Sequence, residues 1–160
     1  MATTINNTTV NSRLTIVFDA AGSLDGNGPA LGTGNTESDV YIDNNVYYNL
    51  RSHTEIDANV HALQWNATTN TGEIEYTDNR DNLSITTIPQ WVTNVVIRCE
   101  AQDVWQSTFE SSRATRHQAL LENPEINKDS PDYDATVLPL VTQDADTARN
   151  DYLTAHSITF

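Results

Sequence analysis

The chain has 160 residues, 38% of them apolar, and a formal net charge of −14 from 22 acidic and 8 basic side chains. That length suits one domain with a modest core, and the scarcity of Lys and Arg excludes the phosphate-neutralising stripe that direct binding of DNA or RNA needs. The single cysteine, Cys99, excludes a disulfide framework and a thiolate zinc site; among Val95, Val96, Ile97 and Val104 it reads as an inert core thiol.

The opening "MATTINNTTVNSR" lacks the basic and apolar regions of an export signal, and no apolar run approaches membrane-spanning length, so synthesis in the cytoplasm is expected. "RLTIVFD", residues 13–19, alternates around Leu14, Ile16 and Phe18 and predicts a strand. Five of the six glycines then fall in "GSLDGNGPALGTG", residues 22–34, which reads as a loop. "DVYIDNNVYYNL" predicts two short strands around Asp43-Asn44-Asn45, with asparagine in the left-handed turn positions.

In "VHALQWNATTNTGEIEYTDN", residues 60–79, strict alternation puts His61, Leu63 and Trp65 on one face and Val60, Ala62 and Gln64 on the other. After the loop, Ile74 and Tyr76 share a face and Glu73, Glu75 and Thr77 point away, which predicts a hairpin with Trp65 and Ile74 inside. "DNLSITTI", residues 81–88, supplies a third strand.

From Gln90 to Asn123 there is neither Gly nor Pro, and Trp91, Val95, Cys99, Val104, Trp105, Phe109, Leu120 and Leu121 recur at three- and four-residue spacings. This predicts one long helix, or two broken near Glu100, with Thr86 or Thr87 as cap and Pro89 in the first turn. The prolines and acids of residues 124–141 predict an extended connector, "DADTARNDYLTA" at 144–155 a short helix with an Asp cap, and "HSITF" a closing strand. The expected fold class is therefore α+β in a single domain, with a β-rich part over 1–88, a long helix or helix pair over 89–123, and an acidic connector, short helix and tail over 124–160.

Chemistry-bearing constellations are weak. Glu73 and Glu75 could divide acid and base roles, but same-face strand neighbours ordinarily form a solvated acidic edge. Trp65 could stack on a sugar, yet a hairpin tryptophan more often anchors a core. "DGNG" at Asp25 and Asn27, near Asp19, lacks the third ligand and bidentate Glu of a calcium loop, and "DSPDYD" at Asp129, Asp132 and Asp134 lacks its glycine; binding of Ca²⁺ or Mg²⁺ is left open. His53, His61, His117 and His156 show no metal-binding spacing, the glycine-rich loop lacks the ending of a phosphate loop, and no acyl-transfer motif is present. The sequons at Asn6, Asn7, Asn66 and Asn82 follow from Asn and Thr supplying about a quarter of the chain. No enzymatic activity and no cofactor are expected. A helix carrying Trp91, Trp105, Phe109, Leu120 and Leu121, followed by an acidic proline-rich arm, leaves two readings: it backs the sheet of its own chain, or it packs against a neighbouring subunit, for which its length and two tryptophans make it the best candidate interface.

Residues 56–96, "IDANVHALQWNATTNTGEIEYTDNRDNLSITTIPQWVTNVV", resemble a module in small structural or accessory proteins of tailed bacteriophages, especially phages of marine bacteria. There a piece like "VHALQW", a turn, "GEIEY", an Asn-rich linker and a helix start of the form P-x-W recur in that order, and the C-terminal helices of several resemble tail-fibre assembly proteins. The resemblance implies a virion protein made in the host cytoplasm and present in several copies. It would bind other virion proteins, either tail or fibre, or the major capsid protein, with its N-terminal segment and acidic arm extended to reach a neighbour. The leading expectation is a tail-associated adaptor or fibre-attachment protein. Alternatives are a capsid decoration protein, a non-virion chaperone of tail-fibre assembly, and a carbohydrate-binding module using Trp65 and Tyr76.

Overall fold

The computed structural model of the chain describes residues 2–18, 37–51, 56–122 and 137–158, and of Arg51, Leu120 and Leu121 the backbone alone. The protein is α+β: antiparallel sheets form the N-terminal half, and a long and a shorter helix follow. It forms two compact units, residues 1–99 and 100–160.

In the first unit, β1 (Thr3–Ile5) and β2 (Thr8–Val10) make a two-stranded hairpin. The second sheet holds β3 (Arg13–Phe18), β4 (Glu37–Ile42), β5 (Asn45–Arg51), β6 (Val60–Asn66), β7 (Thr71–Tyr76) and β8 (Leu83–Ile85) in the order β5-β4-β3-β6-β7-β8. The N-terminal segment is thus folded back on itself and not extended: Ile5 and Val10, both buried, pin the small hairpin to the core. Short polar residues able to adopt positive φ make the turns, namely Asn6 (φ 53°), Asp43 (φ 52°) and Asn70 (φ 53°). In the β4–β5 turn it is Asp43 that takes the left-handed conformation expected of asparagine, and Asn45 already belongs to β5.

Alternation fills one face of the larger sheet with Leu14, Ile16, Phe18, Val40, Ile42, Leu63, Trp65 and Ile74. Each fully buried Leu, Ile or Val contributes roughly 1.5–3 kcal/mol relative to exposure, which fixes the strand register, since a one-residue slip would turn the whole set outward. The predicted separation of Val60 from Leu63 and Trp65 does not hold. A β-bulge between Val60 and Ala62 inserts His61 as an extra residue opposite the Tyr76–Glu75 step of β7, so Val60 joins the core. His61 is left with its Nδ1 buried and, among the described residues, without a hydrogen-bond partner.

The first helix, α1 (Gln90–Glu122), is one unbroken element of 33 residues, which resolves the one-or-two alternative. Thr86 and Thr87 lie before the helix and do not cap it: the Pro89 carbonyl accepts the first turn's bonds from the N–H groups of Val92 (3.0 Å) and Thr93 (3.3 Å). Its opening turns place Val92, Val95, Val96 and Cys99 in the core of the first unit.

In the second unit α2 (Leu138–Ala155) begins six residues before the predicted Asp144, within the stretch read as connector. Pro139 sits in its first turn, where the missing N–H costs nothing. Asp144 is consequently an interior helix residue and not a cap. At the other end Ser157 (φ 58°) and the bonds Ile158 N–H to Leu153 O (2.9 Å) and Ser157 N–H to Thr154 O (3.0 Å) form a Schellman stop. His156 and Ser157 are therefore a turn where a strand was expected.

The two helical segments of this unit run antiparallel. Tyr152 Oη donates to Glu100 Oε2 (2.7 Å), Trp105 Nε1 to Asp146 Oδ1 (2.8 Å), and Arg116 to both oxygens of Asp144 (2.8 and 3.1 Å). Ser112 also donates to Asp144. Arg116 and then Ser112 hold the Asp144 carboxyl below the usual carboxylate range, and Asp144 raises the Arg116 guanidinium in turn.

Candidate interaction surface

The residues singled out as a possible acidic site are tied down by neutral neighbours. Gln64 Nε2 donates to Glu75 Oε1 (3.0 Å) and Asn82 Nδ2 to Glu73 Oε1 (2.7 Å), on the face of the sheet away from the core. Trp65 is 2% exposed and its Nε1–H donates to Thr3 Oγ1 (3.0 Å), which passes a hydrogen bond to Asn70 Oδ1 (3.0 Å). Its ring is therefore inside, as expected, and cannot offer a face to a sugar. The stretch 60–79 works as a clamp. Trp65 and Asn70 hold the β1–β2 hairpin, while Arg80 stacks 4.5 Å over Tyr76, grips Asp78 and reaches Asp57 (3.1 Å). Arg80 keeps Asp78 below the usual carboxylate range.

A second clamp sits at the β4–β5 turn. The Asp43 carboxylate accepts the backbone N–H groups of Asn11 (2.9 Å), Ser12 (2.7 Å) and Arg13 (3.1 Å), and Asp43 N–H donates to Arg13 O (2.9 Å). These bonds favour the ionised form and hold the Asp43 pKa below its ordinary value, the Asn11 amide contributing most. The tip of this hairpin is thereby fixed to the β2–β3 link.

What the clamp presents is the surface with the clearest interaction character. Among the described residues, five large hydrophobic side chains are exposed, and three belong to this hairpin: Tyr41 (36%), Val46 (40%) and Tyr48 (69%). Tyr41 and Val46 are directly opposed across the strands. Beyond them β5 is the last of the described strands on this side of the sheet, and a terminal strand offers backbone donors and acceptors to any partner that can extend it. A bulge opposite Asp39, with Asn49 at φ 51° and its N–H bonded to Asp39 Oδ1 (2.9 Å), closes the regular stretch.

Three of the five helix residues expected at an interface, Trp91, Trp105 and Phe109, make contacts within the chain. Trp91 packs against the core of the first unit, its ring 5.8 Å from that of Phe18. Trp105 stacks on Phe109 at 5.0 Å and bonds Asp146, and Phe109 lies against Val137 and Val141. The side chains of Leu120 and Leu121 lie outside the described residues, as do His53 and both acidic stretches considered for calcium.

Among the described residues no three His, Cys, Asp or Glu side chains converge as metal ligands, and no helix is long and apolar enough to cross a membrane. Cys99 is buried in the core and is not part of a disulfide. An open groove along α1 bordered by Glu110, Arg113, Ala114 and His117 draws its described lining from one helix face and brings no reactive set together.

Sequence reasoning missed Tyr41, Val46 and Tyr48. The available signal was "NVYYN" in β5, which is apolar or aromatic on both faces although one face suffices for a core-packed edge strand. Comparison with protein-family models, curated proteins and solved structures finds no match to this chain.

Proposed function

We propose that this is a structural protein of a tailed-bacteriophage virion, associated with the tail as an adaptor or fibre-attachment component and acting through protein–protein interfaces. The observation that carries an interface role is the concentration of exposed Tyr41, Val46 and Tyr48 on a rigidly clamped terminal hairpin. Isolated exposed apolar residues need no explanation, but a cluster beside a sheet edge that no described strand covers is characteristic of a binding surface. The virion setting rests on the resemblance of residues 56–96 to phage accessory proteins. In that stretch the motif residues Trp65, Gly72, Ile74 and Trp91 serve the core, which suits a module that holds its neighbours in place.

Quantitative mass spectrometry of purified particles tests the proposal. Recovery in purified particles, at a copy number well below that of the major capsid protein, is the expected result for a tail component. Hundreds of copies would transfer the role to capsid decoration, and absence from particles would refute a virion role altogether.

A further inference from the structure

We propose that two copies of this chain join through β5, each strand pairing antiparallel with its counterpart about a two-fold axis at Tyr47, so that two six-stranded sheets become one. The backbone supplies the first reason. Ile42 and Asn45 flank a two-residue turn and Tyr47 stands opposite Val40. In an antiparallel ladder inward- and outward-bonding residues alternate, so Asn45 and Tyr47 bond to β4 while Val46 and Tyr48 turn their N–H and C=O groups to the edge that no described strand covers.

The side chains supply the second. "NVYYN", Asn45 to Asn49, has asparagine at both ends and an apolar or aromatic side chain, Val46 and Tyr48, on either side of Tyr47. In the two-fold pairing Val46 of each copy therefore lies opposite Tyr48 of the other, an aromatic–β-branched pair of the kind that stabilises sheets, formed twice. An isologous interface requires this self-complementarity.

Charge supplies the third. Two molecules of net charge −14 repel over most approaches, but Asn45–Leu50 carries no charged side chain, and the nearby Asp39 carboxylate is occupied by the Asn49 amide. The opposite edge, β8, is three residues long and has Asp81 and Glu73 beside it. β5 also lacks the lysine or proline that commonly protects an edge strand, and its bulge confines pairing to Asn45–Tyr48 and so fixes the register. Such a short contact falls below a standard interface and is weak on its own, becoming effective where copies are held close together. This last point alone rests on the proposed virion role.

Sedimentation equilibrium of the full chain, from low micromolar to several hundred micromolar, tests the pairing. The expected result is a reversible monomer–dimer equilibrium whose midpoint rises at least about tenfold in Val46→Lys and in Tyr48→Lys. Both side chains are exposed, so melting temperatures should stay at the wild-type value. Amide hydrogen exchange of the unmodified protein gives a second readout, with Val46 and Tyr48 expected to slow as concentration rises. A wild-type monomer throughout, a dimer indifferent to both folded lysine variants, or a dimer whose Val46 and Tyr48 amides stay fast would each overturn the inference. None of these outcomes bears on particle copy number, so the virion proposal stands or falls separately.

Discussion

Replacing Gly72 by alanine tests the central packing of the β6–β7 hairpin, because two effects of opposite sign meet there. A Gly→Ala change that the backbone tolerates usually stabilises a protein by about 0.4–1 kcal/mol through the unfolded chain. Gly72, however, stands opposite Trp65, and a methyl group at its Cα would lie 2.6 Å from the Gln64 carbonyl oxygen, 2.8 Å from Trp65 Cε3 and 3.2 Å from Ile85 Cγ1. The first of these atoms belongs to the backbone of a paired strand and cannot swing aside, and the second belongs to a ring hydrogen-bonded to Thr3. Overpacking of this kind costs about 1–3 kcal/mol, so the clash outweighs the entropic gain and leaves a net loss of about 1–2 kcal/mol. For a chain of this length that corresponds to a fall in Tm of roughly 2–8 °C. Circular dichroism melts and urea midpoints of wild type and Gly72→Ala measure it directly. An unchanged or higher Tm would refute the argument, since Trp65 would then not be seated over Gly72 as closely as these distances require.

The Asp43 clamp gives a prediction with a defined pH window. Its folded pKa is depressed, so its contribution is present above the unfolded carboxylate value near ~3.9 and is lost as pH falls through the lower folded value. Asp43→Asn, which keeps an acceptor oxygen and tolerates positive φ, should be less stable than wild type by about 1 kcal/mol near neutrality after allowance for solvent screening. The two proteins should converge in acid, and a difference that persists there would contradict a charge-based role. In the second unit, Trp105→Phe keeps a ring against Phe109 but removes the donor to Asp146, with an expected cost of about 1–2 kcal/mol. Hydrogen exchange along α2 should accelerate in this variant, and unchanged protection would mean that the indole N–H contributes nothing. Leu63→Ala, at a fully buried position opposite Ile74, should cost about 2–5 kcal/mol in equilibrium unfolding; a loss below 1 kcal/mol would indicate a core able to collapse around the change.

The sequence by itself determined the fold class, most strand positions and the long helix. Period-2 alternation in "RLTIVF" and around "VHALQW" and "GEIEY", and the absence of Gly and Pro from 90 to 123, are local signals that burial on one face reinforces. The inward placement of Trp65 and Ile74 was legible for the same reason. The early start of α2 was hidden because Pro139 reads as a breaker unless its position in the first turn is known. Val60 was misplaced because one inserted residue at His61 reverses the alternation on one side of a bulge, and only pairing with β7 reveals the insertion.

Tertiary structure alone decided what faces outward. Trp91, Trp105 and Phe109 have the same spacing whether a helix packs on its own chain or on another; here the core of the first unit claims Trp91, and α2 claims the other two. Tyr41, Val46 and Tyr48 look like ordinary strand residues until the sheet order leaves β5 at its end. Periodicity records which residues share a face. Which faces remain after folding depends on the long-range pairing of strands and helices, and that pairing is specified by contacts no single stretch of sequence contains.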